Sequence, residues 1–255
     1  MTALITGASS GIGLELAKLF AADGHDLVLV ARRADMLENL AGELRGRSGV
    51  TVRVWPDDLA DPAAPTRLFE RATAEGVAID MLVNNAGFGA LGTFADLPSE
   101  RQLAMIDLNI RALTDLCHLF LPAMRRRRQG RILNVASMAA FLPGPHMAVY
   151  YAGKAFVLSF SEGLSAELAG SGVTVTCLCP GMSPTGFQDA AGMTGSRLGA
   201  LRGMAAPAVA RAGYDALMAG RRLIISGFGN RLAIFAVRFA PRGLVLAAVR
   251  WLQAR

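Results

Sequence analysis

The residues whose spacing carries the most chemistry are Tyr150 and Lys154, four apart in the run AVYYAGKAFVLSFSEGLSAEL, whose apolar positions recur with a helical period. At that separation both side chains leave one face of a helix, which sets an ammonium near a phenol. A free phenol ionises near ~10 and is a poor acid or base at neutral pH. A neighbouring cation favours the phenolate, and a depression of roughly 2 to 3 pKa units equals about 3 to 4 kcal/mol of differential stabilisation. On that expectation Tyr150 exchanges a proton with a substrate oxygen. Ser137, closing the run RILNVAS, would donate a hydrogen bond to the same oxygen, and Asn109 is the fourth polar residue expected on this edge. Tyr151 is a rival for the phenol's role, but it is three residues from Lys154 and sits on a shifted part of the helical face. The alternative for the pair is a packed aromatic beside a base whose stem covers apolar surface.

A second group lies near the start of the chain, where Thr6 is followed by Gly7, Ala8, Ser9, Ser10, Gly11, Ile12 and Gly13 and then by a helical pattern. Glycines let the backbone turn sharply and approach a pyrophosphate, and the helix start offers free N–H groups and a positive dipole end. The bland alternative is a glycine-rich turn. Ala31 is followed by Arg32 and Arg33 where an NAD-selective site would carry an acid for the ribose hydroxyls, so a guanidinium favours the extra phosphate of NADP(H) over NAD(H). Arg32 is expected to be the better placed of the two, and a solvated pair is the alternative. Asp58 and Leu59 are expected beside the adenine.

Bringing these residues together requires strands that end on one edge. The runs ALIT, DLVLVA, VTVRVW, MLVNN, RILNVA, VTVTCL and RLIIS alternate with longer helical patterns, the rhythm of βαβ units. Their near-continuous hydrophobicity predicts an α/β, doubly wound, seven-stranded parallel sheet buried on both faces, a Rossmann fold in a single domain. Glycine and proline mark the loops GASSGIG, NNAGFG and CPGMSPTG at strand ends, which defines one cleft.

Of 255 residues 53% are hydrophobic and 18% charged, which excludes a disordered chain. Cys117, Cys177 and Cys179 have spacings of neither a metal site nor a disulfide framework, so no metal is expected and the thiols are read as reduced and packed. The opening MTALITG has no basic stretch before an apolar one, which predicts a cytoplasmic protein. The net charge of +6 is concentrated in residues 221–255, which hold seven arginines and no acid. With no docking motif for nucleic acid in view, none is expected as a partner.

Taken in order, TGASSGIG, NNAG, Asn109, Ser137, Tyr150 with Lys154, and PGMSPT resemble the short-chain dehydrogenase/reductase family over about residues 2–228. The resemblance implies hydride transfer between a nicotinamide and a carbonyl or alcohol carbon, with Ser137, Tyr150 and Lys154 acting as above. It also implies that Asn109 helps hold a water in the proton relay. Asn85, Ala86 and Gly87 would line the adenosine side, and Pro180, Gly181 and Thr185 would position the nicotinamide carboxamide. A homodimer or homotetramer is likewise implied. One departure is Gly153, where the family usually has Ser, Thr or Ala. Glycine there costs about 1 kcal/mol against alanine and predicts local loosening.

A catalytic unit over residues 1–228 is expected, with a Gly-, Ala- and Met-rich substrate loop at about 185–219 and an apolar, basic helical tail at 229–255. The loop predicts an apolar substrate, the alternative being an ordinary pair of packed helices. The tail suits an anionic lipid surface, a subunit contact or plain packing. The run Arg125 to Arg128 is read as a solvated loop after a helix end. Two further function classes stand beside the oxidoreductase: a nucleotide-sensing protein without turnover, and a peripheral membrane scaffold.

Overall fold

The structure, a computed structural model, describes residues 1–193, 195–199 and 203–253. Thr194, Ala200, Leu201 and Arg202 of the expected substrate loop lie outside the described residues, as does Arg255 of the tail.

The chain alternates strand and helix as its periodicity predicts. The order is β1 (Thr2–Thr6), α1 (Gly11–Ala22), β2 (Asp26–Ala31), α2 (Ala34–Ser48), β3 (Val52–Pro56), α3 (Ala64–Ala74) and β4 (Met81–Asn84). Next come α4 (Ser99–Ile106), a π-helical stretch (Asp107–Ala112) and α5 (Leu113–Arg127), then β5 (Gly130–Val135), a 3₁₀ turn (Met138–Phe141) and α6 (Ala148–Glu167). The chain continues through β6 (Val173–Cys179), a single helical turn α7 (Phe187–Ala190), α8 (Ala206–Met218), β7 (Leu223–Ile225), α9 (Phe228–Val237) and α10 (Arg242–Gln253). The seven strands form one sheet in the order β3-β2-β1-β4-β5-β6-β7, and every pairing is parallel. This is the doubly wound sheet expected.

Alternate strand residues serve opposite faces. Leu4, Val28, Leu82, Ile132 and Val175 pack with α3, α5 and α6 through residues such as Leu68, Leu116, Phe120 and Val157. Their neighbours Ile5, Leu27, Leu29, Val83 and Leu133 pack with α1, α2 and α8 through Phe20, Leu40 and Tyr214. Helix α8 therefore belongs to the core, against α1. The later part of the expected substrate loop is a packed helix, and among its described residues Phe187 of α7 lies against Tyr150.

The sheet does not account for a third apolar cluster of Ala90, Met105, Met147, Tyr150, Tyr151, Ala191, Met193, Val245 and Val249. It joins the cleft to α10, so the tail is docked on the domain. The Leu198 N–H donates to the Leu252 carbonyl at 2.7 Å, and Arg197 donates to the Trp251 carbonyl at 3.1 Å. Among the described residues no helix is long and apolar enough to cross a membrane. The arginine run departs from expectation: Arg125, Arg126 and Arg127 form the last turn of α5, and Arg128 closes it at φ 51°. The helix runs on because those side chains favour its negative end, and Arg127 reaches the Ile79 carbonyl at 2.9 Å. All three cysteines are buried and free.

Candidate active site

The glycine loop leaves β1 for α1 with Gly7 at φ 67° and Gly11 at φ 58°, a region that side chains other than glycine rarely enter. A Cβ at Gly13 would stand 2.4 Å from both the Gly7 carbonyl oxygen and Asn85 Nδ2, so only glycine fits. The first turn of α1 carries no side-chain cap on Ser10, which leaves its N–H groups for an anion. This cradle of bare backbone at a helix start fits a dinucleotide pyrophosphate.

Asn85 locks the loop in place. Its Nδ2 donates to the Thr6 carbonyl at 2.9 Å and the Gly7 carbonyl at 3.3 Å. The Thr6 hydroxyl donates to Val83 O and accepts from the N–H groups of Asn85 and Ala86 at 2.9 and 3.0 Å. Thr6 is a positioning residue that the sequence reading passed over, although a hydroxyl in an otherwise apolar strand end signals such a bond. Across the loop, the Thr185 methyl would lie 3.2 Å from a Cβ on Gly11, which puts Thr185 against the phosphate cradle. The Pro180 carbonyl accepts from Met138 N–H at 2.8 Å. Gly181 faces Asn230, whose Nδ2 would be 2.4 Å from an added Cβ.

Of the two arginines after β2, Arg33 reaches the loop, donating to Ser9 Oγ at 3.0 Å and Ser10 Oγ at 3.2 Å. Arg32 turns outward, with a 76% exposed side chain 3.8 Å from Asp58. Arg33 and not Arg32 is therefore the arginine in contact with the glycine loop. Successive residues at a strand end project to opposite sides, and the glycine loop lies on the Arg33 side. Leu59 is buried in the core below Asp58.

Tyr150, Ser137, Lys154 and Asn109 come together at the carboxyl ends of β4 and β5. Ser137 caps the 3₁₀ turn, its hydroxyl accepting from Ala139 N–H at 3.1 Å, and its side chain is near enough to the Tyr150 phenol to oppose the rise of its pKa. Asn109 lies on the π-helical stretch, a local widening that re-aims a side chain. It clamps the backbone of Phe88, donating to its carbonyl at 2.9 Å and accepting from its N–H at 3.2 Å. Gly87 lies between Asn109 and Lys154: a Cβ there would be 2.9 Å from Asn109 Oδ1 and 3.5 Å from Lys154 Nζ. The ammonium donates to the Val135 carbonyl at 2.8 Å and lies 5.8 Å from the centre of the Tyr150 ring.

Helix α6 is held to the sheet below this point by a buried polar chain absent from the sequence reading. Asn84 Nδ2 donates to Asn134 Oδ1 at 2.9 Å, Asn134 Nδ2 donates to Ser161 Oγ at 2.9 Å, and Ser161 donates to the Val157 carbonyl at 2.6 Å. The signal was an asparagine inside an apolar strand buried on both faces, where a polar group demands a partner.

The electrostatics differ from the sequence expectation. Burial pushes the Tyr150 phenol up, and Ser137 only partly opposes this. Burial also pulls the Lys154 ammonium down to about 8, against the pull of Cys177 and Cys179. Desolvation thus sets the direction of the phenol's shift in this arrangement, and the ammonium is bonded to Val135. Tyr151 belongs to the same buried cluster as Tyr150, with its ring where a Cβ on Gly144 would fall. Phe187 of α7 lies over Tyr150 with ring centres 5.3 Å apart. Gly89 makes room for it, since a Cβ there would meet Phe187 at 2.9 Å.

Residues 1–194 match the family model for short chain dehydrogenase. A short chain dehydrogenase of Pseudocercospora fijiensis is 35% identical over 182 residues, spanning 71% of this chain and 59% of that protein. The solved structure of a short-chain dehydrogenase from Sphingobium yanoikuyae in complex with NADPH is 35% identical, covering 95% of this chain and 94% of that one with a TM-score of 0.83. The bulky-bulky ketone specific alcohol dehydrogenase from Comamonas testosteroni is 31% identical, covering 95% and 92% with a TM-score of 0.79.

Proposed function

The chain belongs to the short-chain dehydrogenase family, and from that premise we propose that it is an NADP(H)-dependent oxidoreductase interconverting an apolar ketone and its alcohol. The observation that carries this is the convergence of Tyr150, Ser137 and Lys154 on the sheet edge that also bears the glycine loop. When bound, the nicotinamide supplies or accepts the hydride. Tyr150 gives its hydroxyl proton to the substrate oxygen in reduction and takes it back in oxidation. Ser137 donates a hydrogen bond to that oxygen as charge develops on it. Lys154 and Asn109, both bordering Gly87, hold the ribose side and pass protons to Tyr150. A phenol raised by burial keeps its proton at neutral pH, which suits it to act first as an acid.

Gly7, Ser9, Ser10, Gly11, Ile12 and Gly13 would cradle the pyrophosphate, and Asn85, Ala86, Gly87, Asp58 and Leu59 the adenosine. Pro180, Gly181 and Thr185 would hold the carboxamide. Arg33, with Arg32 beside it, would take the 2′-phosphate, and the Ser9 and Ser10 hydroxyls that Arg33 now engages would join it. Met147, Phe187, Met193 and Ala90 around Tyr150 offer a substrate carbon and sulfur in place of polar groups, which supports an apolar partner. The Comamonas neighbour is named for bulky ketones. A cytoplasmic homodimer or homotetramer is part of the same reading, checked by light scattering.

The test is Tyr150→Phe. With a lipophilic aryl ketone, NADPH oxidation followed by absorbance is expected to fall about 10²-fold or more. NADPH affinity, from the quenching of protein fluorescence, is expected to stay within about twofold, since one hydroxyl away from the phosphates is lost. Turnover retained by the variant would move the acid elsewhere and end this assignment.

A further inference from the structure

Helix α9 presents the wrong side to the protein. At about 100° per residue, Phe228, Leu232 and Phe235 fall within an arc of roughly 60°, and Phe239 follows in the turn after the helix. They are 80%, 58%, 56% and 75% exposed, respectively. Only Ile234 of α9 is buried. A helix that serves its own domain turns its larger apolar stripe inward, and here that stripe faces outward. Leu244 and Trp251 of α10, 66% and 59% exposed, add to it. Among the described residues seven of the twelve exposed large apolar side chains belong to α9, α10 and the turn between them.

The charges around this face are of one sign. Arg231 and Arg238 lie along one edge of the apolar arc, Arg242 and Arg250 follow, and residues 221–255 contain no acid. Among the described arginines after residue 220 only Arg222 is in an ion pair, with Glu162 at 3.7 Å. Four guanidinium groups are therefore uncompensated beside exposed aromatic rings. A second copy of the chain meeting this face across a two-fold axis would bring arginine against arginine. A surface that is apolar inside and negative at its rim complements both features.

We propose that α9 and its continuation to Leu244 dock this protein on an anionic lipid bilayer, the aromatic and leucine side chains entering the acyl boundary and the arginines meeting the headgroups. The opposite side of the tail, through Val237, Val245 and Val249, packs on the cluster containing Tyr150 and Tyr151. Docking therefore sets the roof of the cleft toward the membrane. The proposal depends on the surface alone and not on turnover.

The experiment is flotation of the full chain with phosphatidylcholine vesicles, with and without phosphatidylglycerol. The chain is expected to float with the anionic vesicles at low salt and to be largely released at about 1 M salt. Arg231→Gln with Arg238→Gln is expected to lower the partition coefficient on the order of 30-fold, and Phe235→Ser with Phe239→Ser about tenfold or more. Neither pair touches the core, so thermal midpoints are expected to match the parent chain. Absence of flotation, equal flotation with neutral vesicles, or variants that bind like the parent would overturn the proposal. Self-association in sedimentation that the phenylalanine pair abolishes would overturn it too, by assigning the face to a second copy.

Discussion

Burial acts on Tyr150 and Lys154 in opposite directions, keeping the proton on the phenol and loosening it from the amine. The sign of the stability effect follows. Folded Lys154 releases its proton near 8 and the unfolded side chain near 10.5, so between those values the unfolded chain binds more protons and stability rises with pH. Below that window the cost of burying the ammonium is present in full, roughly 3 kcal/mol. Lys154→Met is thus expected to be more stable than the parent at about pH 7, with the advantage shrinking at about pH 9.5 in urea titrations. A constant difference would mean that the amine is not desolvated. The Cys117 thiol and the buried tyrosines, raised by burial, pull the other way at high pH but do so in both proteins. That Tyr150 and Lys154 share a helix face was legible from type and spacing, whereas the direction of the phenol's shift was not, because it depends on the walls around it. The same holds for Arg33: both arginines were visible, but which one bends over Ser9 is a matter of strand pleat. Arg33→Ala is expected to weaken NADPH roughly 10- to 100-fold and NADH little, as losing a charged hydrogen bond implies, and equal losses in a binding titration would remove the preference.

At the scale of elements, all seven strands were legible, because a parallel strand buried on both faces writes itself as an unbroken apolar run. Helix α6 carries the two residues that matter most, and it runs unbroken through Gly153. The helix keeps its hydrogen-bonded turn there, and Lys154 bonded to Val135 and Ser161 bonded to Asn134 pin it to β5 just beyond the glycine. An added Cβ at Gly153 would meet Ile110 at 3.7 Å, an ordinary contact. Gly153→Ala is therefore expected to raise stability by about 1 kcal/mol without altering the site, as read by the denaturant midpoint. A lower midpoint would show that the helix cannot accept the methyl group. Less legible was the division of the segment after Thr185. Helix α8 and the turn α7 share a composition rich in small and apolar residues, yet one packs on α1 and the other covers Tyr150. Composition reports that a segment is buried and is silent on where.

The whole molecule is a two-faced sheet to which the last two helices add a third apolar cluster over the cleft. Ending the chain at Ala240 removes Val245 and Val249 from that cluster. The loss is expected to cost about 3 kcal/mol and to expose Tyr151 and Met193, seen as a lower thermal midpoint and a gain in the fluorescence of an apolar dye. An unchanged midpoint would mean the tail is not part of the fold. By itself the amino-acid order determined the sheet, the glycine loop between β1 and α1 and the gathering of Asn109, Ser137, Tyr150 and Lys154 at the strand ends, since each is written in local period or spacing. Only the folded chain showed which tyrosine ring lies under Phe187, which arginine touches Ser9 and which side of the tail faces out. Those choices are made by contacts between residues far apart in sequence, where packing and desolvation select among options that look equal along the chain.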